Sequence, residues 1–212
     1  MGSKRALILV DLQNDFCAGG SLEVPYGDEV IAIANRLQPL FDLVIATKDF
    51  HPADHTSFAS NHSAKVGEVM HLGEINQILW PDHCVQGTRG AEFHPGLDIQ
   101  FIHKIIFKGT DKNIDSYSAF FDNAHLRHTE LQDYLHKENI KEVYIMGLAT
   151  DYCVKFSCFD AIQLGFKTVV IVDGCRGVEL KAGDSENAFK EMRARGAVLL
   201  TSDQLSMEKL CE

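Results

Sequence analysis

Residues 143–172 read VYIMGLATDYCVKFSCFDAIQLGFKTVVIV, and this stretch predicts the architecture of the chain. It opens with the apolar run Val143–Met146 and closes with the β-branched run Thr168–Val172, each as long as a buried strand. Between these two runs, an apolar stripe at helical spacing is formed by Val154, Cys158, Ala161 and Ile162. The segment ends at Gly165, a residue typical of helix ends. Strand, helix and strand in succession indicate a right-handed βαβ crossover and therefore a parallel sheet.

The same alternation continues along the rest of the chain. Amphipathic segments follow Asp28, which is expected to cap its helix, and lie near Leu131 and Ala188. These segments separate four further apolar runs, Ala6–Val10, Leu43–Thr47, Ile102–Phe107 and Val198–Leu200. About six strands in one open parallel sheet are expected, which is near the usual sheet size. Residues 49–96 interrupt the alternation, and a connection of that length is usually functional.

Length and charge narrow the functional classes. The chain has 212 residues, 20 Lys and Arg against 30 Asp and Glu, and a formal net charge of −10. An acidic chain is poorly suited to bind nucleic acid or an anionic membrane, and its apolar runs are too short to cross a bilayer. We therefore expect a single domain, residues 1–212, that has neither nucleic acid nor a membrane as a partner and is a monomer or a homo-oligomer.

The cysteines indicate the cellular compartment. Six of them lie at positions 17, 84, 153, 158, 175 and 211, with no paired spacing. The apolar run Ala6–Val10 is too short for a signal peptide, because Asp11 interrupts it. Free thiols in a reducing compartment are therefore expected, which predicts a cytoplasmic protein.

Reactive side chains follow the ends of several predicted strands. Asp11, Lys108 and Cys153 share this placement, and the carboxyl ends of parallel strands are where ligands bind in open α/β sheets. Cys153 also lies where a helix begins, so the helix dipole and Lys108 are expected to lower its pKa and favour the thiolate. Asp11 is expected to accept the thiol proton. The alternative is a buried core cysteine, a surface lysine and a capping aspartate.

A candidate metal site lies in the long connection. Asp49 and His51 are two residues apart, so in extended chain they project on the same side, and His83 supplies a further ligand. A divalent ion bound by two imidazoles and one carboxylate keeps open coordination positions. Zinc, iron(II) and manganese would each accept this ligand set. His55 and Ser57 are candidates for an additional outer ligand.

Five motifs give the chain a family resemblance from Arg5 to about Leu200. They are DLQNDFC at 11–17, DFHP at 49–52, WPDHC at 80–84, KG at 108–109 and GLATDYC at 147–153. In this order they resemble the bacterial-type nicotinamidase/pyrazinamidase family of isochorismatase-like hydrolases. The resemblance implies an α/β fold with an open, mainly parallel six-stranded sheet and helices on both faces. It also implies hydrolysis of nicotinamide to nicotinate and ammonia in NAD salvage, and of pyrazinamide as well.

The resemblance assigns roles residue by residue. The catalytic triad falls on Asp11, Lys108 and Cys153. The ligands of one divalent metal ion, with zinc expected first, fall on Asp49, His51 and His83. The aromatic walls of the substrate pocket fall on Phe16, Trp80 and Tyr117, and a cis peptide before an oxyanion-hole residue falls on Leu148–Ala149.

The sequence departs from the family pattern in two places. Phe50 stands where Trp or Tyr is more common, and residues 56–79 match poorly, so a fourth protein ligand there is unassigned. Three rival functions remain: a vinyl-ether hydrolase of the isochorismatase type, an amidase for another carbamoyl compound, and a non-catalytic binding scaffold. The triad together with His51 and His83 argues against the first and third, and the metal motif favours a substrate with a ring nitrogen over the second.

Overall fold

Parallel strands form the centre of the protein in this computed structural model, which describes residues 4–72 and 75–205. The strands are β1 (Arg5–Val10), β2 (Leu43–Asp49), β3 (Val69–Leu72), β4 (Ile75–Ile78), β5 (Lys104–Lys108), β6 (Glu142–Leu148), β7 (Lys167–Arg176) and β8 (Val198–Leu200). The α-helices are α1 (Glu29–Leu37), α2 (Leu131–Lys137), α3 (Lys155–Gln163) and α4 (Asp184–Ala194). Cys211 lies outside the described residues, and the other five cysteines are buried free thiols.

Six of the described strands form one sheet in the order β5–β2–β1–β6–β7–β8, and every neighbouring pair is parallel. The predicted α/β fold with a parallel six-stranded sheet is therefore confirmed. Ile8 of β1 pairs with Ile45 of β2 and Ile145 of β6, and all three side chains are fully buried. A strand that is covered on both faces needs a continuous run of apolar side chains and not an alternation of apolar and polar ones.

The strand order fixes where the site lies. From β1 the chain adds β2 and then β5 on one side, whereas β6, β7 and β8 extend the sheet on the other side. The direction therefore reverses between β1 and β6, and such a switch point opens a crevice at the carboxyl ends of the two strands. Asp11 follows β1 and Cys153 follows β6, so both predicted side chains lie at this crevice.

The long connection is more ordered than its sequence indicates. Residues 49–96 were expected to be loop, but they contain the antiparallel hairpin of β3 and β4. Isolated bridges also join His51 to Val85 and Phe58 to Trp80, which folds the connection back onto the end of β2. Both hairpin strands are four residues long and mostly exposed or half-buried, so they lack the apolar run that marks the other strands.

None of the helices in the part of the chain described here combines the length and the apolar character that a bilayer crossing requires.

Candidate active site

The three predicted catalytic residues meet around the amine of Lys108. Its side chain is fully buried, and Nζ lies 2.8 Å from Asp11 Oδ2 and 3.3 Å from Cys153 Sγ. Nζ also donates to the carbonyl oxygen of Ser116 at 3.1 Å and to Oδ1 of Asp49. Lys108 ends the edge strand β5, two strands away from β1, and the length of the lysine side chain allows it to reach the crevice.

Asp11 is held by Thr47, which was not predicted from the sequence as a site residue. The Thr47 hydroxyl donates to Asp11 Oδ1 at 2.5 Å and accepts the backbone N–H of Asp11 at 3.1 Å. Burial raises the pKa of the Asp11 carboxyl to about 6, and the opposing effects of Lys108 and Thr47 reverse this only in part. Asp11 is therefore ionised at neutral pH and still basic enough to accept a proton.

Cys153 lies in a π-helical turn, Thr150–Val154, which leads directly into α3. The peptide between Leu148 and Ala149 is cis, as the family resemblance implies. Gly147 precedes this turn with φ near +130°, and a Cβ there would lie 2.2 Å from the carbonyl oxygen of Val10. Glycine at this position thus allows β6 to approach β1 closely enough to bring Cys153 to Asp11.

The expected lowering of the Cys153 pKa is wrong for this structure. Burial raises the pKa of the thiol well above its usual value, and Lys108 lowers it by less than burial raises it. The negative charges of Asp11 and Asp49 raise it further. The thiol is therefore protonated at neutral pH, and it needs a base in contact with the site in order to become a nucleophile.

The predicted metal ligands form one buried group. Oδ2 of Asp49 lies 3.7 Å from Nε2 of His51 and 3.8 Å from Nε2 of His83. Nδ1 of His51 is 2.9 Å from the carbonyl oxygen of Gly109, and Nδ1 of His83 is 2.8 Å from that of Pro81. A carbonyl accepts only from a protonated nitrogen, so Nδ1 carries a proton in both rings, and Nε2 is the nitrogen that a neutral imidazole offers to a metal ion.

This donor set fits a divalent cation. Among the described residues, the buried Nε2 of His51 has no hydrogen-bond partner, which is unusual for a buried nitrogen. The three ligand atoms of Asp49, His51 and His83 all lie within 4.8 Å of one another. Two imidazoles and a carboxylate, each oriented from behind, are the ligands that zinc and related ions prefer.

Two further residues fix the positions of these ligands. Gln13 forms a pair of hydrogen bonds with the backbone of Asp49, accepting from its N–H and donating to its carbonyl oxygen, both at 2.8 Å. Gly109 has φ near +62°, and a Cβ there would lie 2.3 Å from Cε1 of His51. A larger residue at position 109 would therefore displace the imidazole of His51.

The ionisable groups of this cluster perturb one another. Burial raises the pKa of the Asp49 carboxyl, but Lys108, His51 and His83 together lower it below its usual value. Burial lowers the pKa of His51, whereas Asp49 reverses the effect and leaves it raised. Burial and then His51 lower the pKa of His83 to about 4, so its imidazole is neutral at physiological pH.

His55 and Ser57 lie beside this group and not within it. The His55 ring is 4.3 Å from that of His51, and its Nδ1 is 2.7 Å from the Ser57 hydroxyl. Its ligand atom clusters with those of His51 and Asp115 instead. Whether His55 or Ser57 supplies an additional outer ligand stays a prediction.

An aromatic pocket opens above Cys153. Phe16, Trp80, Tyr117 and Ala149 all line it, as predicted, with Asp49 and His83 beside them. Tyr152 forms a further wall, which was not predicted from the sequence: its ring meets Trp80 edge-on at 4.9 Å and Tyr117 at 5.4 Å. The lining is completed by Leu22, Asp115 and Val178. Such a pocket suits a flat ring with few polar atoms.

Known proteins share this fold and these motifs. The Isochorismatase domain family matches residues 5–204. Nicotinamidase of Escherichia coli strain K12 is 53% identical over 201 residues, covering 93% of this chain and 94% of that protein. The structure of an Acinetobacter baumannii nicotinamidase/pyrazinamidase superimposes with a TM-score of 0.93 at 44% identity, covering 97% of this chain and 99% of that one.

A further solved structure is the pyrazinamidase of Pyrococcus horikoshii in complex with zinc. It superimposes with a TM-score of 0.78 at 36% identity, covering 93% of this chain and 99% of that one. The chain belongs to the isochorismatase-like hydrolases, among the nicotinamidases and pyrazinamidases.

Proposed function

We propose that this site hydrolyses nicotinamide to nicotinate and ammonia, with Cys153 as nucleophile. The observation that carries the proposal is the contact of Lys108 with both Asp11 and Cys153 at the floor of the aromatic pocket. An unreactive amide needs a strong nucleophile, a proton acceptor close to it and a way to stabilise negative charge. Relatives with this activity support the proposal.

The proposed reaction has two halves. Cys153 Sγ attacks the carboxamide carbon while its proton passes to Asp11, and the carbon–nitrogen bond then breaks as Asp11 returns that proton to the departing ammonia. Water next attacks the thioester carbon and gives a proton to Asp11. The carbon–sulfur bond breaks, Asp11 gives its proton to the sulfur of Cys153, and the nicotinic acid that forms loses its carboxyl proton to solvent and leaves as nicotinate.

Lys108 and two backbone N–H groups assist these steps in the proposal. The Lys108 ammonium keeps Asp11 next to the sulfur and stabilises negative charge on either of them. The N–H groups of Ala149 and Cys153 are assigned to the developing oxyanion, and loss of one such donor typically costs about 3 kcal/mol of transition-state stabilisation. The cis peptide at Leu148–Ala149 lies beside this assigned pair.

Asp49, His51 and His83 are proposed to hold one divalent metal ion, zinc first, with iron(II) and manganese as alternatives. When bound, the ion supplies a Lewis acid for the ring nitrogen of the substrate. The zinc complex of the Pyrococcus horikoshii relative supports this assignment. The protein itself contributes the oriented Nε2 atoms and the Asp49 carboxylate, which Gln13 holds by its backbone.

The walls of the pocket set the proposed substrate range. Phe16, Trp80 and Tyr117 would enclose a flat ring, so pyrazinamide is proposed as a second substrate, in keeping with the named pyrazinamidases among the relatives. We also propose that residues 1–212 act as one domain and that the reaction serves NAD salvage in the cytoplasm. The buried free thiols of the described residues agree with a reducing compartment.

An ammonia-release assay on nicotinamide tests the proposal. Cys153→Ala should lower kcat/KM by at least about a thousandfold, because the nucleophile is removed. Cys158→Ala is the matched control, since Cys158 is a buried free thiol five residues along the same helical segment and makes no contact with Lys108 among the described hydrogen bonds. Full ammonia release by Cys153→Ala would overturn the proposed mechanism.

A further inference from the structure

One polar side chain of the β3–β4 hairpin is buried. Gln77 is only 2% exposed, whereas its neighbour Asn76 on the same strand is exposed. The hairpin is separate from the six-stranded sheet, so Gln77 is not explained by the main core. A buried amide is stable only where hydrogen-bond partners meet it, and its partners indicate what it does.

The amide nitrogen of Gln77 points toward the substrate pocket. Its two N–H groups face three acceptors, the carbonyl oxygen of Ile78 at 2.7 Å, Asp115 Oδ2 at 3.0 Å and the Tyr117 hydroxyl at 3.2 Å, so one N–H is shared between two of them. A carbonyl and a carboxylate can only accept, so the nitrogen of the amide, and not its oxygen, must face them. The orientation of the side chain is therefore set by its surroundings.

Tyr117 receives two donors on one oxygen. The indole Nε1–H of Trp80 donates to the Tyr117 hydroxyl at 3.1 Å, in addition to Gln77. A phenolic oxygen has two lone pairs, and these two bonds use both. The phenol is thus fixed between two walls of the pocket, and its own proton is directed away from Gln77 and Trp80.

Asp115 connects the same amide to the region beside the metal ligands. Its side chain is 4% exposed and lines the pocket, and its ligand atom clusters with those of His51 and His55. Oδ1 of Asp115 accepts the N–H of Ser116 at 2.7 Å, which leaves Oδ2 to Gln77. One amide group therefore holds an aromatic wall and a buried carboxylate of the pocket at the same time.

We propose that Gln77 is a positioning residue that fixes the width of the aromatic pocket by holding Tyr117, Trp80 and Asp115 in place. The inference rests on the proposed function, since this pocket is assigned to the pyridine ring of nicotinamide. Gln77 does not touch the reacting atoms, so its loss weakens binding of the ring in ground state and transition state alike. Uniform loss of this kind raises KM and leaves kcat nearly unchanged.

Two variants and a matched control test the inference in the full-length protein. Gln77→Met keeps the length of the side chain and removes both donors, and Gln77→Glu places an oxygen opposite Asp115. The control is Asn76→Met, on the exposed neighbour. In both Gln77 variants KM for nicotinamide should rise about tenfold and kcat should change less than about threefold. The control should keep both constants.

The fluorescence of Trp80 supplies a readout that needs no turnover. It is the single tryptophan of the chain, and its indole N–H shares the Tyr117 hydroxyl with Gln77. Both Gln77 variants should shift its emission, and nicotinate should quench it less than in the wild type. Because Gln77 acts through Tyr117, the KM effects of Gln77→Met and Tyr117→Phe should be less than additive in the double variant.

Wild-type KM and emission in folded Gln77→Met, or fully additive effects with Tyr117→Phe, would overturn the inference. Should both Gln77 variants fail to fold, Tyr117→Phe alone must raise KM with kcat retained, and an unchanged KM has the same consequence. Failure of the proposed function is distinguishable: the wild type would release no ammonia from nicotinamide, while the Trp80 emission would still report whether Gln77 orders the pocket wall.

Discussion

Burial and the groups around Asp11 shift the pKa of its carboxyl in opposite directions. The resulting pKa sets the pH dependence expected for the reaction. Its pKa is raised to about 6 by burial, although Lys108 and Thr47 lower it. Protonation therefore removes the base as the pH falls through about 6, and kcat/KM for nicotinamide should decline on the acid side of that value.

Thr47→Val tests this assignment of the base. It removes the hydroxyl that donates to Asp11 Oδ1, so the ionised form loses a stabilising bond and the acid limb should move up by on the order of one pH unit. Thr47→Ser keeps the hydroxyl and should keep the wild-type profile. The measurement is kcat/KM against pH. An acid limb that stays in place in Thr47→Val would remove Asp11 as the titrating base.

Lys108 is also a structural residue, because it is the cation between two buried carboxylates. Lys108→Met would leave Asp11 and Asp49 without their shared partner, and breaking a buried ion pair typically costs about 3–5 kcal/mol of unfolding free energy. Lys112→Met is the control, since Lys112 pairs with Asp54 at 2.9 Å, both side chains are more than half exposed, and the free energy of unfolding should stay nearly unchanged. Urea unfolding measures both, and equal losses would contradict this account of Lys108.

At the scale of elements, the turn after β5 fixes the position of the His51 imidazole. Gly109→Ala would place a Cβ 2.3 Å from Cε1 of His51, at φ near +62°, and should displace that imidazole. We expect the variant to lose bound metal and ammonia release together. Gly165→Ala is the matched control: its φ is near +87°, but no heavy atom lies within 4 Å of the added Cβ. It should keep metal and activity, with a loss of roughly 1 kcal/mol in stability. Metal content by elemental analysis separates the two, and normal metal in Gly109→Ala would be contrary to the prediction.

The elements that sequence could predict are those whose signal is local. Each strand of the main sheet contains an apolar run, and the side chains at strand ends follow from topology, so Asp11, Lys108 and Cys153 were placed together correctly. The β3–β4 hairpin was not predicted from the sequence, because its strands are short and mostly exposed. Asp28 precedes α1 as expected, yet its carboxylate accepts the N–H of Ala18 at 2.9 Å and makes no capping bond to the helix.

Other parts of the site depend on contacts that are distant in sequence. Gln13 and Thr47 act on residues 36 positions away, and Gln77 reaches Asp115 across 38 positions, so no spacing rule points to them. The Cys153 pKa shows the same limit. A helix start and a neighbouring lysine are visible in sequence, but the burial that outweighs them is a property of the packed structure.

Across the whole molecule, the site consists of two parts built on different elements. Asp11 and Cys153 follow β1 and β6, whereas His51 and His83 belong to the long connection after β2. Asp49 joins the two parts, because Oδ1 contacts Lys108 and Oδ2 faces the two imidazoles. The proposed nucleophile and the proposed metal ligands should therefore respond differently to substitution, except at Asp49.

Metal removal makes that separation measurable. A chelated preparation should lose ammonia release, since the ring nitrogen of nicotinamide loses its partner. Cys153 should still be alkylated by iodoacetamide at mildly alkaline pH, because the contacts of Lys108 with Cys153 and Asp11 are kept.

His51→Ala should behave like the chelated protein. Asp49→Asn should lose metal and also change the alkylation rate, since Lys108 loses one of its two carboxylates. The untreated protein should contain about one divalent ion per chain, bound by the group of Asp49, His51 and His83. Full ammonia release by verified metal-free protein would remove the metal from the mechanism and leave the cysteine assignment intact, because alkylation of Cys153 tests that part independently.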